Sequence, residues 1–264
     1  MRIEPIEMIV HSHERSERLL FPIGSVSGAR YASRDLKATR RELDEILARD
    51  RRLTMATHTN PSIFRIGRYL LTQSFEFEVQ GALTGGEAEV VAIRLGDRLY
   101  ITVGSDQCDR ELDPLFPDKP KQMCPHPIAT VAWPYDEVRD HWDSLRISSR
   151  VVSGTYTIPL QDSSLAALVD LEYLLDMDEV GRLADPMILY CGAAEFLESA
   201  LQVVEENKLP EFTARGVGDE FHLCLHDPIL ERTINHRYRA KVLGDDLGER
   251  NEDLARAMSR PGES

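Results

Sequence analysis

Strand-period alternation constrains this chain more than any other feature. Phe75, Phe77 and Val79 alternate with Ser74, Glu76 and Glu78, the pattern of a β-strand with one buried face. After a turn at Gly85-Gly86, residues 87–94 and 99–103 read as a hairpin around Leu95-Gly96-Asp97-Arg98. Further strands are expected at 4–10, 19–23, 147–158, 219–226 and 233–243. Helical spacing is confined to four stretches. The first runs from Ser33 as cap to about residue 49, with Leu36, Leu43, Ile46 and Leu47 as its stripe. The others are 136–145 around Trp142, 163–182, and 193–208 with Phe196, Leu197, Leu201 and Val204 on one face. Pro61 breaks the polar stretch after the first helix, and residues 106–128, rich in Asp, Lys and Pro, read as an ordered loop. Strands in the middle and end with helices between them indicate an α+β or mixed β fold and not alternating βαβ units.

The 264 residues suffice for one large domain or two small ones. The 31 Lys and Arg against 45 Asp and Glu leave a net charge of −14. That balance argues against binding nucleic acid, which needs a basic surface, and against an anionic membrane surface. No apolar run is long enough to span a bilayer. The N-terminal apolar stretch is short and interrupted by acids, unlike a signal peptide, so a cytoplasmic protein is expected. Cys108, Cys124, Cys191 and Cys224 are widely spaced, which fits a reducing compartment. Residues 1–60 are expected as strands and a helix packing on the core, 61–244 as the main domain, and 245–264 as a flexible charged tail.

The motifs of serine hydrolases, P-loop proteins, dinucleotide-binding folds and common zinc proteases are missing. One constellation remains. Glu87 and Glu89 stand two apart at the start of a strand, so both carboxylates share a face. The antiparallel return brings Asp106 toward them. Three converging carboxylates form a hard oxygen site suited to Mg²⁺, Mn²⁺ or Ca²⁺. The competing reading is a solvated edge-strand face, since Glu-x-Glu is common in acidic chains. His222, Cys224 and His226 also share a strand face, but they spread over about 13 Å at roughly 3.4 Å per residue, too far for one ion. A half-polar sheet face is the better reading of those three.

Glu87-x-Glu89, the later Asp106, Arg110-Glu111, Lys121 and Cys124-Pro125 together resemble the fumarylacetoacetate hydrolase superfamily. The blocks GSDQCDRELD, KQMCPHPIA, HWDSL, LYCGA and INHRY are similar to an uncharacterised bacterial family, a domain of unknown function that forms a remote branch of it. They run in order over roughly residues 70 to 243. The resemblance implies the superfamily's β-roll with peripheral helices, residues 61–244 as its catalytic domain, and a homodimer. It implies Mg²⁺ or Mn²⁺ held by Glu87, Glu89 and Asp106. It also implies a small 2-oxo or 1,3-dicarbonyl carboxylic acid as substrate, hydrolysed at a C–C bond or decarboxylated through a metal-stabilised enolate.

Within that resemblance Lys121 faces the developing oxyanion. Arg110 clamps a substrate carboxylate, or else pairs with Asp109 or Glu111 in its own loop. Water activation falls to His126, with Asp109, His141 and His13 as further candidates. Gln161, Ser163 and Gly192 lie where the superfamily contacts substrate. The chain departs from the pattern in several places. The interval from Glu89 to Asp106 is short, Gln107-Cys108 replaces the family's His-Thr, Ala193 replaces a hydroxyl-bearing residue, and the superfamily's water-activating His-Glu pair has no counterpart. Cys108 reads as a packing residue. Two other readings therefore stand beside the hydrolase: an inactive binding or scaffold protein of the same fold, and a hydratase, tautomerase or cyclase using the same site.

Overall fold

The computed structural model describes residues 3–35, 37, 39–41, 44, 61–81, 83–110, 112, 118–153, 156–200 and 220–243. The first strands are β1 (Ile6–His11), β2 (Ser16–Phe21), β3 (Ser25–Arg30) and β4 (Ser62–Ile66). Then come β5 (Leu71–Thr72), β6 (Glu76–Val79), β7 (Thr84–Gly85), β8 (Ala88–Leu95) and β9 (Arg98–Ser105). β10 (Cys108–Asp109), β11 (His126–Pro127) and β12 (Val131–Pro134) follow. The last are β13 (Arg146–Ser153), β14 (Tyr156–Ser164), β15 (Met187–Ala193), β16 (Glu220–Asp227) and β17 (Arg232–Val242).

Two sheets carry the fold. An eight-stranded sheet runs β2-β1-β12-β9-β8-β15-β3-β4, and a five-stranded sheet runs β14-β13-β16-β17-β6. The second packs through β13, β16 and β17 onto β8 and β9 of the first. Val90, Ala92, Ile101 and Val103 meet Ile147, Phe221, Leu223 and Tyr238 in the core between them. On the opposite face of β8 and β9, Val91, Ile93 and Tyr100 join Met8, Phe21, Val26, Phe64 and Tyr190. Side chains from strands across the whole long sheet thus share one cluster on this face. Both faces of β8 are buried, which explains its nearly continuous apolar run. The β8–β9 hairpin closes through Leu95 and Arg98 around a two-residue turn. Gly96 there takes φ +59°, a conformation that costs glycine little.

The structure corrects several expectations. Residues 6–30 do not form a segment laid on the core; β1, β2 and β3 are strands of the main sheet itself. Asp35, not Ser33, begins the helix after β3: the Asp35 carbonyl accepts from Thr39 N–H, while Ser33 bridges to Leu168. The stripe residues Leu36, Leu43, Ile46 and Leu47 lie outside the described residues, as do 201–219 and the tail from 244. Gly85 is paired with Cys108 and is not a free turn. The loop 106–128 contains β10, β11 and a short helix, Lys119–Gln122. Residues 136–145 form 3-10 turns, because His141 leaves helical backbone angles, with Trp142 still buried. The single helix expected over 163–182 is a strand end and three short turns. Ser164 and Asp170 each cap a new turn with their side chains, and extended Met177 separates the last two. Ala193 ends β15, and the helix expected from 193 starts at 198.

Candidate metal centre

The register of the β8–β9 hairpin builds the site. Glu89 lies opposite Gly104, and the Asp106 N–H donates to the Glu87 carbonyl at 2.9 Å. Strand alternation therefore puts Glu87, Glu89 and Asp106 on the face away from the five-stranded sheet. One oxygen of each lies within 4.8 Å of the others, and they are the only such group among the described residues. Glu89 is 2% exposed and Asp106 3% exposed, so the reading as a solvated edge does not hold. Gly104 gives room for this crowding: a Cβ there would stand 2.7 Å from the Pro127 carbonyl and 2.8 Å from the Tyr190 ring.

Each carboxylate is held by a different element. A register shift in β15 between Tyr190 and Ala193 turns the Gly192 N–H onto Glu89 Oε2 at 2.8 Å. Gly192 takes φ +99°, and a Cβ on it would fall 2.4 Å from the Ala32 Cβ. Arg110 Nη2 donates to Glu87 Oε1 at 2.6 Å. Lys121 Nζ lies 2.6 Å from Asp106 Oδ2 and 3.6 Å from Glu87 Oε2. Burial by itself would lower the lysine pKa, but Asp106 and Glu87 outweigh it and hold the ammonium above its ordinary value. Burial, then repulsion from Asp106, pushes Glu89 well above the usual carboxylate range.

His126 sits behind Asp106, fully buried. Its Nε2 lies 2.7 Å from the Lys121 carbonyl, which can only accept, so Nε2 carries the proton. Burial lowers the His126 pKa against the pull of Asp106. Its Nδ1 lies 3.3 Å from Asp106 Oδ1, and neither atom makes a hydrogen bond. A buried carboxylate oxygen left without a hydrogen-bond partner is an arrangement that a bound cation relieves. With three hard oxygens in reach, the residues fit a divalent ion such as Mg²⁺ or Mn²⁺.

The trio opens onto a cavity of about 550 Å³ whose walls also include Arg30, Tyr31, Lys121, Arg110, Ala193 and Phe196. Several expected site residues do not reach it. His126 is buried behind Asp106, with its ring out of contact with water. Asp109 pairs with Thr84, and its Oδ1 accepts from Leu112 N–H. Gln161 does not line this cavity. Its Oε1 accepts from Ala88 N–H and Ser149 Oγ, and its Nε2 donates to the Ala194 carbonyl. Ser163 Oγ bonds to the Ser164 carbonyl away from the cavity. Gly192 serves Glu89 through its backbone. Arg110 pairs with Glu87, a partner the sequence reading did not weigh, and Glu111 lies outside the described residues.

Of the remaining histidines, His141 bonds to Asp227 at 3.0 Å, and His13 gives its backbone N–H to Glu137. β16 buries Phe221, Leu223 and Leu225 and leaves His222, Cys224 and His226 on its half-buried face, as expected. Cys108 is buried packing. Arg30 and Tyr31 were missed. β3, which ends at Arg30, reaches the site by pairing in parallel with β15 across a long interval, which leaves no local motif to read.

Residues 29–238 match the family described as a protein of unknown function, DUF2848. The chain belongs to DUF2848. A comparison with curated proteins returned no match. Among solved structures this DUF2848 chain is similar to 2-hydroxyhepta-2,4-diene-1,7-dioate isomerase from Mycobacterium marinum, with 11% identity, 89% of this chain and 84% of that chain covered, and a TM-score of 0.57. It is similar to 2-keto-3-deoxy-D-arabinonate dehydratase complexed with magnesium and 2,5-dioxopentanoate, with 16% identity, 85% and 76% covered, and a TM-score of 0.56. A third is 5-carboxymethyl-2-hydroxymuconate delta-isomerase from Mycobacterium smegmatis, with 13% identity, 87% and 84% covered, and a TM-score of 0.53. This chain therefore shares the fold of these three solved enzymes, in keeping with the β-roll that the resemblance implied. No helix among the described residues is long and apolar enough to cross a membrane.

Proposed function

We propose that this protein is a divalent-metal-dependent enzyme acting on a small 2-oxo carboxylic acid. The observation that carries the reading is the trio of half-buried Glu87 and buried Glu89 and Asp106 in the wall of a cavity large enough for such an acid. The solved neighbours support it, since one is a dehydratase complexed with magnesium and a dioxo acid and two are isomerases of unsaturated acids.

Glu87, Glu89 and Asp106 would hold the ion. Mg²⁺ or Mn²⁺ supplies Lewis acidity to the substrate's oxygens and to the enolate charge that develops beside them. Lys121, kept protonated by Asp106 and Glu87, adds a fixed positive charge at the cavity wall, where it stabilises a developing oxyanion. Arg110 fixes Glu87 and adds a second. The Gly192 N–H orients Glu89, and His126 packs behind Asp106. The surrounding core keeps these charges in a low-dielectric setting where they act strongly.

His126 and Asp109, the bases expected to activate water, are both withdrawn from the cavity. That favours decarboxylation at the carboxylate β to the oxo group, a step that needs no base, over hydrolysis of a C–C bond. Both reactions pass through enolate charge, so one experiment tests their common step. The Mg²⁺-loaded protein is expected to accelerate deuterium exchange at C3 of a 2-oxo acid, followed by proton NMR, and Asp106→Ala is expected to abolish the acceleration. Exchange at the buffer rate across a panel of 2-oxo acids would contradict the proposal and leave a binding protein of this fold.

A further inference from the structure

We propose that the outer face of the five-stranded sheet holds a second binding site, separate from the metal centre, which takes the phosphoryl group of a small phosphorylated molecule. Arg150 and Arg237 are its charged donors, with His222 between them.

The sequence reading left His222, Cys224 and His226 as a half-polar strand face with no task. Phe221, Leu223 and Leu225 turn into the core shared with β8 and β9, so the three polar residues between them face away from it. A cavity of about 510 Å³ opens on that outer face. Both sheets lie between it and the metal-binding trio. Leu160 shapes its border. Ser149 pairs with Gln161 and Arg150 with Pro159, so Leu160 is the extra residue of a bulge, and a bulge bends its strand. Register then lines up basic side chains. Arg150 lies opposite His222, and His222 lies opposite Arg237. At about 4.8 Å per strand, this row of three spans roughly 10 Å. In the adjoining row, Ser148, Cys224 and Asn235 add a hydroxyl, a thiol and an amide.

Acids do not balance this row. Glu220 is shared by His222 at 3.0 Å, Arg237 at 3.2 Å and Arg239 at 3.5 Å. Arg150 makes no hydrogen bond or ion pair among the described residues. Asp162 is the one acid among the described residues of the wall, and Arg146 holds it at 2.6 Å. A positive surplus therefore gathers in one cavity of a chain whose net charge is −14. Basic groups in register across neighbouring strands repel one another, and a bound anion offsets that repulsion. The Arg237 guanidinium lies 5.2 Å from the centroid of the Phe75 ring, a contact that fixes its plane. Two guanidinium forks call for more acceptors than the two oxygens of one carboxylate. A phosphoryl group brings three strong acceptor oxygens. The cavity also has room for the rest of a small molecule, since such sites span roughly 300–1,000 Å³.

The test is a calorimetric titration of the metal-stripped full chain, since free metal would sequester the probe. Pyrophosphate is compared, at equal ionic strength, with malonate, a carboxylate dianion of similar length. Pyrophosphate is expected to saturate one site and to bind at least about tenfold tighter than malonate. Arg150→Gln changes an exposed residue that holds no ion pair among the described residues. It is expected to weaken pyrophosphate about tenfold with circular dichroism unchanged. Arg237→Lys, which keeps the charge and loses the fork, is expected to weaken it severalfold. Arg30→Gln, in the wall of the metal-site cavity, is expected to leave pyrophosphate affinity as in the wild type. No saturable binding in the wild type, equal affinity for malonate, wild-type affinity in Arg150→Gln, or a loss in Arg30→Gln would each overturn the proposal. The metal-centre reading stands or falls separately, because none of these outcomes depends on a bound metal.

Discussion

At the scale of single residues, one backbone N–H shows how tightly the centre is specified. Gly192 combines φ +99° with a Cβ position 2.4 Å from Ala32, so any side chain meets both backbone strain and a clash. Gly192→Ala is expected to destabilise the protein by about 1–3 kcal/mol and to weaken Mg²⁺ binding severalfold, because Glu89 loses its hydrogen bond. Thermal melts and a metal titration read the two effects, and an unchanged metal affinity would contradict the role given to this N–H. The trio itself was legible in the sequence. Glu87 and Glu89 share a parity, and a two-residue turn fixes where Asp106 returns. The supporting residues were not legible. Gly192 was named only through a resemblance and for another role, and Arg30 carries no motif, because contacts across β3, β8 and β15 depend on long-range pairing. His126 and Asp109 were placed near the site correctly, but burial, which residue spacing does not reveal, took them out of reach of water.

At the scale of elements, hairpins were read well and helices poorly. β8–β9 and β16–β17 follow local alternation and a short turn, so their registers follow from sequence alone. The apolar spacing over 163–182 looked helical, but Ser164 and Asp170 cap separate turns, and β14 runs on to Ser164 because it pairs with β13. The same pairing makes Gln161 a cross-link. It joins the start of β8 to β13 and to the segment after β15 through three buried hydrogen bonds. Gln161→Leu leaves the Ala88 N–H and Ala194 carbonyl without partners and is expected to cost about 2–4 kcal/mol. A loss of substrate affinity in that variant, with stability and metal binding unchanged, would return Gln161 to the substrate-binding role.

At the scale of the whole molecule, two sheets share one core, and a second core lies on the other face of the longer sheet. A half-buried histidine on β17, in the wall of a cavity on the five-stranded sheet, makes such a body sensitive to acid. Burial lowers the His236 pKa to about 4, and its Nε2 has no hydrogen-bond partner. Its ordinary unfolded value is near 6.5, so between those values the unfolded chain binds more protons. The stability that goes with neutral His236 is present above about pH 6.5 and is lost as pH falls toward 4. The full loss is roughly 3 kcal/mol at most. Urea unfolding at pH 7.5 and pH 4.5 is expected to show a smaller difference for His236→Leu than for the wild type, and equal differences would contradict this account of His236.

The same burial that penalises a lone histidine is tolerated at Glu87, Glu89 and Asp106 because cations surround them, and the central claim is that a divalent ion completes that balance. The direct measurement is a calorimetric titration of the metal-stripped protein with Mg²⁺ and with Mn²⁺, wild type beside Asp106→Ala and Glu87→Ala. The account predicts saturable binding at one site in the wild type and its loss in both variants, with their circular dichroism unchanged. An absence of binding in the wild type, or wild-type affinity in a folded Asp106→Ala, would contradict it.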